Sequence, residues 1–153
     1  RKLILNNKSD FNKNTDLLLY MASRSENINT IINSYKKKVI LIDRFTDSTI
    51  AYQHYGMGIS INLIKTLNKY LLNNIKVDFT FLNIVNRNNL YERLKKRKSL
   101  NRYDRFNMTF YNKVQNGFIK LSKLKKNKYK LINSNLEIKN NEKLILNIIE
   151  KLI

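Results

Sequence analysis

Val39-Ile40-Leu41-Ile42 is a short apolar, β-branched run that stops abruptly at Asp43-Arg44. Such a run reads as a strand buried on both faces, the kind found in parallel sheets covered by helices. In open α/β sheets, ligands bind just beyond the carboxyl ends of the strands. Arg44 there offers a rigid fork of donors suited to a phosphate. Asp43 could orient that arginine or hold a hydrated metal ion, and the pair also fits a plain surface ion pair. Polar residues follow closely, and a short helix is expected through Ser48–Tyr55.

The rest of the chain supplies the layers around that run. Thr15 or Asp16 can cap a helix reaching to about Tyr35, with Leu17, Leu18, Met21, Ile28, Ile31, Ile32 and Tyr35 at helical spacing. Arg1–Asn7 reads as the tail of an earlier helix. Gly56 and Gly58 mark a loop. Ser60 starts a helix with Leu63, Ile64, Leu67, Tyr70 and Leu71 on its apolar stripe. A second strand is expected over Asp78–Val85 and a third over Tyr129–Asn133. Between them lie a basic helix from Asn88 to Lys98, a polar segment Ser99–Asn107 expected to be exposed, and a helix bearing Phe110, Tyr111, Val114, Phe118, Leu121 and Leu124. Leu144, Ile145, Ile148, Ile149 and Leu152 give a last amphipathic helix, with Glu142 in its first turn, where the dipole favours an acid. Strands alternating with helices mean α/β with a parallel sheet, and 153 residues favour one domain, 1–153.

Composition narrows the chemistry. With no cysteine, disulfides, thiolate metal sites and thiol catalysis are excluded. A single histidine, His54, argues against a histidine-based triad or metal site and reads as structural. No apolar run approaches the roughly 18 residues of a membrane span, so a cytoplasmic protein without membrane partners is the expectation. Lys and Arg number 30 against 11 Asp and Glu, giving a formal charge of +19 that attracts polyanions. Basic residues gather at Lys36–Lys38, Arg93–Arg105 and Lys120–Lys130, and AT-rich coding, which favours Lys, Asn and Ile, accounts for part of the total. The charge and nine tyrosines keep open a module that binds single-stranded nucleic acid.

Asp43-Arg44-Phe45-x-x-Ser48-x-x-Ala51-Tyr52-Gln53 resembles the signature of thymidylate kinases, which transfer a phosphoryl group from ATP to dTMP. Four further stretches resemble the family in the same order. Tyr20-x-x-x-Arg24 is similar to its aromatic-x-x-x-Arg helix. Val77-Asp78-Phe79-Thr80-Phe81-Leu82 is similar to its Pro-Asp-hydrophobic-Thr strand, with Val77 in place of proline. Arg93-Leu94-Lys95-Lys96-Arg97 with Asn101–Phe106 resembles its arginine-rich lid, about residues 93–107. Phe110–Phe118 resembles the helix after the lid. The resemblance implies a P-loop nucleoside-monophosphate-kinase fold, with another nucleoside-monophosphate kinase as the rival within the class.

It also implies roles. Tyr20 would stack on thymine and Arg24 would hydrogen-bond it. Arg44 would clamp the dTMP phosphate, and Asp43 would sit near the phosphates and Mg²⁺. Ser48 and Thr49 would lie near base and phosphate, Tyr52 would crowd the sugar 2′ position, and Gln53 would be a weaker contact. Arg93, Lys95, Arg97, Arg102 and Arg105 would bring positive charge to the ATP phosphates, with Arg97 and Arg102 foremost. Asn133, Ser134 and Asn135 resemble the loop bordering adenine. The family is typically a homodimer, to which the stripe Leu63–Leu71 would contribute; no specific nucleic acid is implied. The departure is the missing Gly-x-x-x-x-Gly-Lys phosphate loop and the Arg-Glu-Pro segment after it. The expectation is therefore a chain lacking its front, without turnover by itself.

Overall fold

The computed structural model describes residues 2–34, 38–72 and 74–153. Tyr35, Lys36, Lys37, Arg1 and the side chain of Ile32 lie outside the described residues. The backbone gathers into two compact units, Arg1–Lys76 with Ser99–Ile119, and Val77–Lys98 with Lys120–Ile153.

The first unit is helical. Helix α1 is Lys2–Leu5 and α2 is Lys13–Ser34. The cap of α2 is neither Thr15 nor Asp16. Asn12 Oδ1 accepts from the backbone N–H of Asn14 at 2.9 Å and of Thr15 at 3.0 Å, satisfying two donors that a helix start leaves orphaned. Helix α3, Thr46–Thr49, runs directly into a π-helical stretch, Ile50–Gly56. Wider helical turns of this kind are frequent at functional sites. Gly58 then adopts φ +74°, open to glycine without strain. Helix α4, Ile61–Leu72, packs on α2. Its buried face is centred on Ile64 and Asn68, whereas Leu63 and Tyr70, expected on the apolar stripe, are exposed.

One core cluster of this unit is Ile4, Ala51, Tyr103, Phe110 and Val114, with Tyr20, Tyr52, Met57, Phe106 and Phe118 packed against it. Two of these residues come from the polar segment Ser99–Asn107, which is therefore not the exposed loop expected. Residues Arg102–Arg105 form a 3₁₀ turn. The Asn101 side chain accepts from the N–H groups of Tyr103 and Asp104, and the Asp104 carboxylate accepts from the Asn101 N–H at 3.0 Å. Tyr103 and Phe106 are three apart, so a 3₁₀ turn aligns them on one side. Residues 108–119 of helix α6, Met108–Leu124, complete the unit.

The second unit holds the sheet. Strand β1, Thr80–Ile84, pairs in parallel with β2, Tyr129–Asn133, in the register Thr80↔Tyr129 to Ile84↔Asn133. Leu82 and Ile132 are its buried side chains. Helix α5, Arg87–Lys95, starts at an Asn86 cap, and α7, Ile138–Ile149, ends the chain. Glu142 falls in the second turn of α7, one turn later than expected. The α/β class and parallel pairing match the sequence reading.

The expected strand at Val39–Asp43 does not form. The segment is without strand pairing among the described residues, and Leu41 is 79% exposed, with Val39 and Ile42 also exposed. Apolar, β-branched composition favours strand geometry, but a strand exists only through a neighbour that takes up its backbone N–H and C=O groups. Among the described residues no helix is long and apolar enough to cross a membrane.

The two sides of α4 are expected to respond differently to truncation. Ile64→Ala opens a cavity in the α2–α4 contact and should lower stability by about 2–5 kcal/mol, whereas Leu63→Ala should cost under about 1 kcal/mol. Urea denaturation of the two variants checks this.

Candidate functional site

Helix α2 places Asp16, Tyr20 and Arg24 four residues apart, hence on one face. Arg24 is buried and fully engaged by its surroundings. Its Nη1 donates to Asn68 Oδ1 at 2.7 Å and to Met21 Sδ at 3.5 Å. Its Nη2 donates to Thr49 Oγ1 at 2.6 Å and to the Phe45 carbonyl at 3.3 Å, and the guanidinium lies 5.5 Å from the Phe45 ring centroid. Burial lowers its pKa, while Asp47 favours the charged form. A guanidinium still keeps its proton at any physiological pH. The structure thus brings together Arg24 and Thr49, two of the residues the resemblance selects.

Arg44 is the opposite kind of arginine. It is exposed, and its backbone takes φ +64°, which a non-glycine residue adopts only where surroundings impose it. Its Nη2 donates to Tyr52 Oη at 3.3 Å, and its guanidinium sits 5.2 Å from the Tyr52 ring centroid. The π-helical stretch carries Tyr52 and Gln53 toward the same region. The Tyr52 ring meets Tyr103, Phe110 and Phe118 edge-on at centroid distances of 5.9, 6.0 and 6.4 Å. Asp43 is exposed beside Arg44, and Ser48 is half-buried, its N–H donating to the Phe45 carbonyl at 3.1 Å. His54 Nδ1 lies 2.7 Å from the Ile59 carbonyl, a local bond consistent with a structural role.

Tyr103 joins these groups and was not apparent from the sequence. Its ring is edge-on to Tyr20 at 6.2 Å as well as to Tyr52, so it lies beside both aromatics assigned to the nucleoside. Its hydroxyl donates to Asp16 Oδ2 at 3.0 Å and accepts from Gln53 Nε2 at 3.4 Å. Burial, with Tyr20 and Asp16 close by, pushes this phenol far above the ordinary tyrosine range, so it stays protonated. Burial also raises Tyr20.

Asp16 is the anchor of the cluster. Its side chain is wholly buried and accepts from Arg102 Nη1 at 2.7 Å as well as from Tyr103. Arg102 Nη2 donates to the Phe11 carbonyl at 2.6 Å. The lid stretch has residues in both units. Arg102 and Arg105 belong to the first unit, Arg102 paired and Arg105 exposed, while Arg93, Lys95 and Arg97 belong to the second. There Arg93 Nη2 donates to the Ser134 carbonyl at 2.6 Å. Asn135 Oδ1 accepts from the Asn86 N–H at 3.1 Å and from Asn89 Nδ2 at 2.9 Å. Lys95 lies 3.7 Å from Glu92 and over the Tyr91 ring, and Arg97 is exposed. Asn133, Ser134 and Asn135 thus stand at the end of β2 against the start of α5. Among the described residues no group of three or more His, Cys, Asp or Glu could hold a metal ion.

The site residues that sequence reasoning passed over each left a trace. Asp16 lies one turn before Tyr20, Asn68 interrupts an apolar stripe, and Tyr103 is an aromatic inside a polar run. None of these traces outweighs the commoner readings of cap, solvated face and loop.

The thymidylate kinase family model matches residues 1–145. The chain belongs to the thymidylate kinase family. Its relatives include the thymidylate kinase of Thermosipho africanus, 36% identical over 153 residues that cover 99% of this chain and 75% of the relative. The thymidylate kinase of Kosmotoga olearia is 32% identical over 125 residues, covering 80% of this chain and 60% of the relative. The crystal structure of thymidylate kinase from Ehrlichia chaffeensis superposes with a TM-score of 0.69 at 29% identity, over 95% of this chain and 68% of that one. The family is one of nucleoside-monophosphate kinases, enzymes of the transferase class.

Asp16→Ala strands a mostly buried Arg102 and removes the acceptor of Tyr103. It should cost about 3–5 kcal/mol of stability, against under about 1 kcal/mol for Arg105→Ala on the exposed side of the same turn. Thermal and urea unfolding of the two variants check the difference.

Proposed function

We propose that this chain carries the monophosphate-binding side of a thymidylate kinase, which passes the γ-phosphoryl group of ATP to dTMP and yields dTDP and ADP for dTTP synthesis. The observation that carries the reading is the convergence in one unit of Tyr20, Arg24 and Thr49 with Arg44 on Tyr52. The Tyr20 ring is the stacking surface for thymine. Arg24, a donor-only group, suits the carbonyl oxygens of the base once a ligand displaces one of the acceptors its terminal nitrogens hold. Tyr52 occupies the space a 2′-hydroxyl would need, and Gln53 steadies the wall through Tyr103. Arg44 and its strained backbone present a fixed cation to the dTMP phosphate, with Ser48 nearby.

In the transfer, an oxygen of the dTMP phosphate attacks the γ-phosphorus while the bond from that phosphorus to the β,γ-bridging oxygen breaks, leaving ADP. Such a step needs positioning and positive charge more than covalent help. Arg44 supplies charge from the acceptor side. Among the lid residues, Arg97 is the one we assign foremost to a phosphate, with Arg93, Lys95 and Arg105 adding positive charge. Arg102 would first have to leave Asp16. Asp43 fits the need of Mg²⁺, which takes one or two carboxylates and fills its shell with waters and phosphate oxygens, and a bound ion would neutralise the charge on the transferred group.

The 153 residues contain no Gly-x-x-x-x-Gly-Lys to cradle the ATP phosphates, so we infer negligible turnover by this chain alone. A cytoplasmic homodimer completes the reading, with exposed Leu63 and Tyr70 of α4 supporting a contact between copies.

Titration calorimetry with dTMP tests the acceptor site. Saturable binding that tolerates 0.2 M salt and weakens about tenfold or more in Arg44→Ala is expected, since a charged phosphate bond is lost. Binding of single-stranded DNA that falls steeply with salt, with no response to dTMP, would replace this reading by a nucleic-acid module. For turnover, ADP release from ATP, Mg²⁺ and dTMP is the measurement, and robust ADP formation by the chain alone would overturn the inference of inactivity.

A further inference from the structure

Helix α6 ends at Leu124, and the chain reaches β2 through a 3₁₀ turn over Lys126–Lys128. Residues 120–130 hold six lysines and no acid, and no Asp or Glu occurs between Asp104 and Glu137. Lys123, Lys125, Lys126, Lys128 and Lys130 are exposed, and none of the five forms an ion pair among the described residues. Lys123 to Lys128 wall an open recess. The dipole at a helix C-terminus favours cations and accounts for Lys123 and Lys125. It fades within a turn and does not account for Lys128 and Lys130.

The cluster also stands apart from the nucleotide chemistry of the family. β1 and β2 run parallel, so their amino ends share one edge of the sheet and their carboxyl ends the other. The lysines lie up to and just past the start of β2, at the amino edge. Asn133, Ser134 and Asn135 meet α5 at the carboxyl edge, where ligands of α/β sheets bind. Four residue steps of strand, roughly 13 Å, separate the two edges. Phosphoryl transfer at the carboxyl edge gives no use to five cations at the amino edge.

We propose that the lysines of residues 123–130 form a docking surface for the phosphate backbone of duplex nucleic acid, bound without sequence preference and independently of dTMP. Like charges held this close repel one another, and a polyanion relieves that repulsion. Lysine ammonium groups are mobile point charges. They lack the planar arginine fork that reads a guanine edge, so they meet phosphates instead. A single strand calls for exposed aromatic rings on which bases stack, and Tyr129, the aromatic of this stretch, is half-buried. An anionic bilayer calls for an apolar face, and Leu124 is the one exposed apolar side chain of residues 120–130.

Fluorescence anisotropy of the full chain with a labelled duplex, at salt from about 50 to 200 mM, reads the slope of log K against log salt. Each phosphate contact contributes about 0.9 to that slope, so Lys125→Gln, Lys126→Gln and Lys128→Gln combined should reduce its magnitude by about 2.7. The same loss of charge at exposed positions of the first unit, Lys2→Gln, Lys8→Gln and Lys13→Gln combined, should change it by under about 0.5. Affinity for dTMP should stay at the parent value in both triple variants. Acetylation of the parent with and without duplex, read by peptide mass spectrometry, should show protection of Lys123–Lys130 and none of Lys2, Lys8 and Lys13. That readout keeps the test intact if a variant does not fold. Equal slope changes in the two triples, or uniform protection, would assign binding to the overall charge of +19 and overturn the proposal. Absence of duplex binding at the lowest salt also overturns it. So does capture by phosphatidylcholine vesicles holding about one quarter phosphatidylserine, lost in the Lys125/Lys126/Lys128 triple, by a chain that leaves duplex unbound.

Discussion

A wholly buried carboxylate cannot be left unpaired, and the first unit is arranged around that requirement. Asp16 sits inside α2 with no exposure to water, where an isolated charge would be prohibitive. Arg102 neutralises it and Tyr103 donates to it, and both lie in the same 3₁₀ turn. Satisfying one acid therefore draws the segment 101–106 onto α2 from far along the chain. Tyr103 then stands between Tyr20 and Tyr52, and Phe106 reaches Phe110, with ring centroids 4.2 Å apart. The aromatic wall of the candidate site follows from a charge that needed a partner.

Two arginines show how placement decides chemistry. Arg24 is buried, its terminal nitrogens taken up by side-chain and backbone acceptors, so its orientation is set before any ligand arrives. Arg44 is exposed, on a left-handed backbone, leaning on a tyrosine face. A guanidinium bonded to Asn68, Thr49 and the Phe45 carbonyl ties α2 to α4 and to the segment around α3. An exposed cation suits a phosphate, whose charge attracts from several directions. Preorganisation and access are thus divided between two residues on neighbouring elements, α2 and the segment before α3.

Family membership gives this arrangement its context. The order of the stretches along the chain is that of thymidylate kinases, and the Ehrlichia chaffeensis structure shares the fold over nearly the whole of this chain. Within that frame, the pairing of Arg102 with Asp16 gives one basic residue of the lid stretch a partner inside the first unit. Arg93, bonded to the carbonyl of Ser134, is similarly occupied in its own unit. Positive charge in a sequence is therefore not the same as positive charge available to a phosphate.

By itself the sequence determined what depends on neighbours along the chain. The helices around Leu17–Met21, Ile64 and Phe110–Leu121 were legible because helical hydrogen bonds are local and the apolar period is written in the residues. So were β1, β2 and the run of family motifs that singled out Tyr20, Arg24, Arg44, Thr49 and Tyr52. Tertiary structure alone decided what depends on partners remote in sequence. Val39–Ile42 has the composition of a strand and is not one, since a ladder needs a second backbone beside it. Asp16 reads as a cap and is an anchor, because its partner lies 86 residues away. Asn68 looked like a flaw in an apolar stripe until Arg24, 44 residues distant, supplied its reason. Long-range polar pairs carry no period and no spacing, so only the folded chain reveals them.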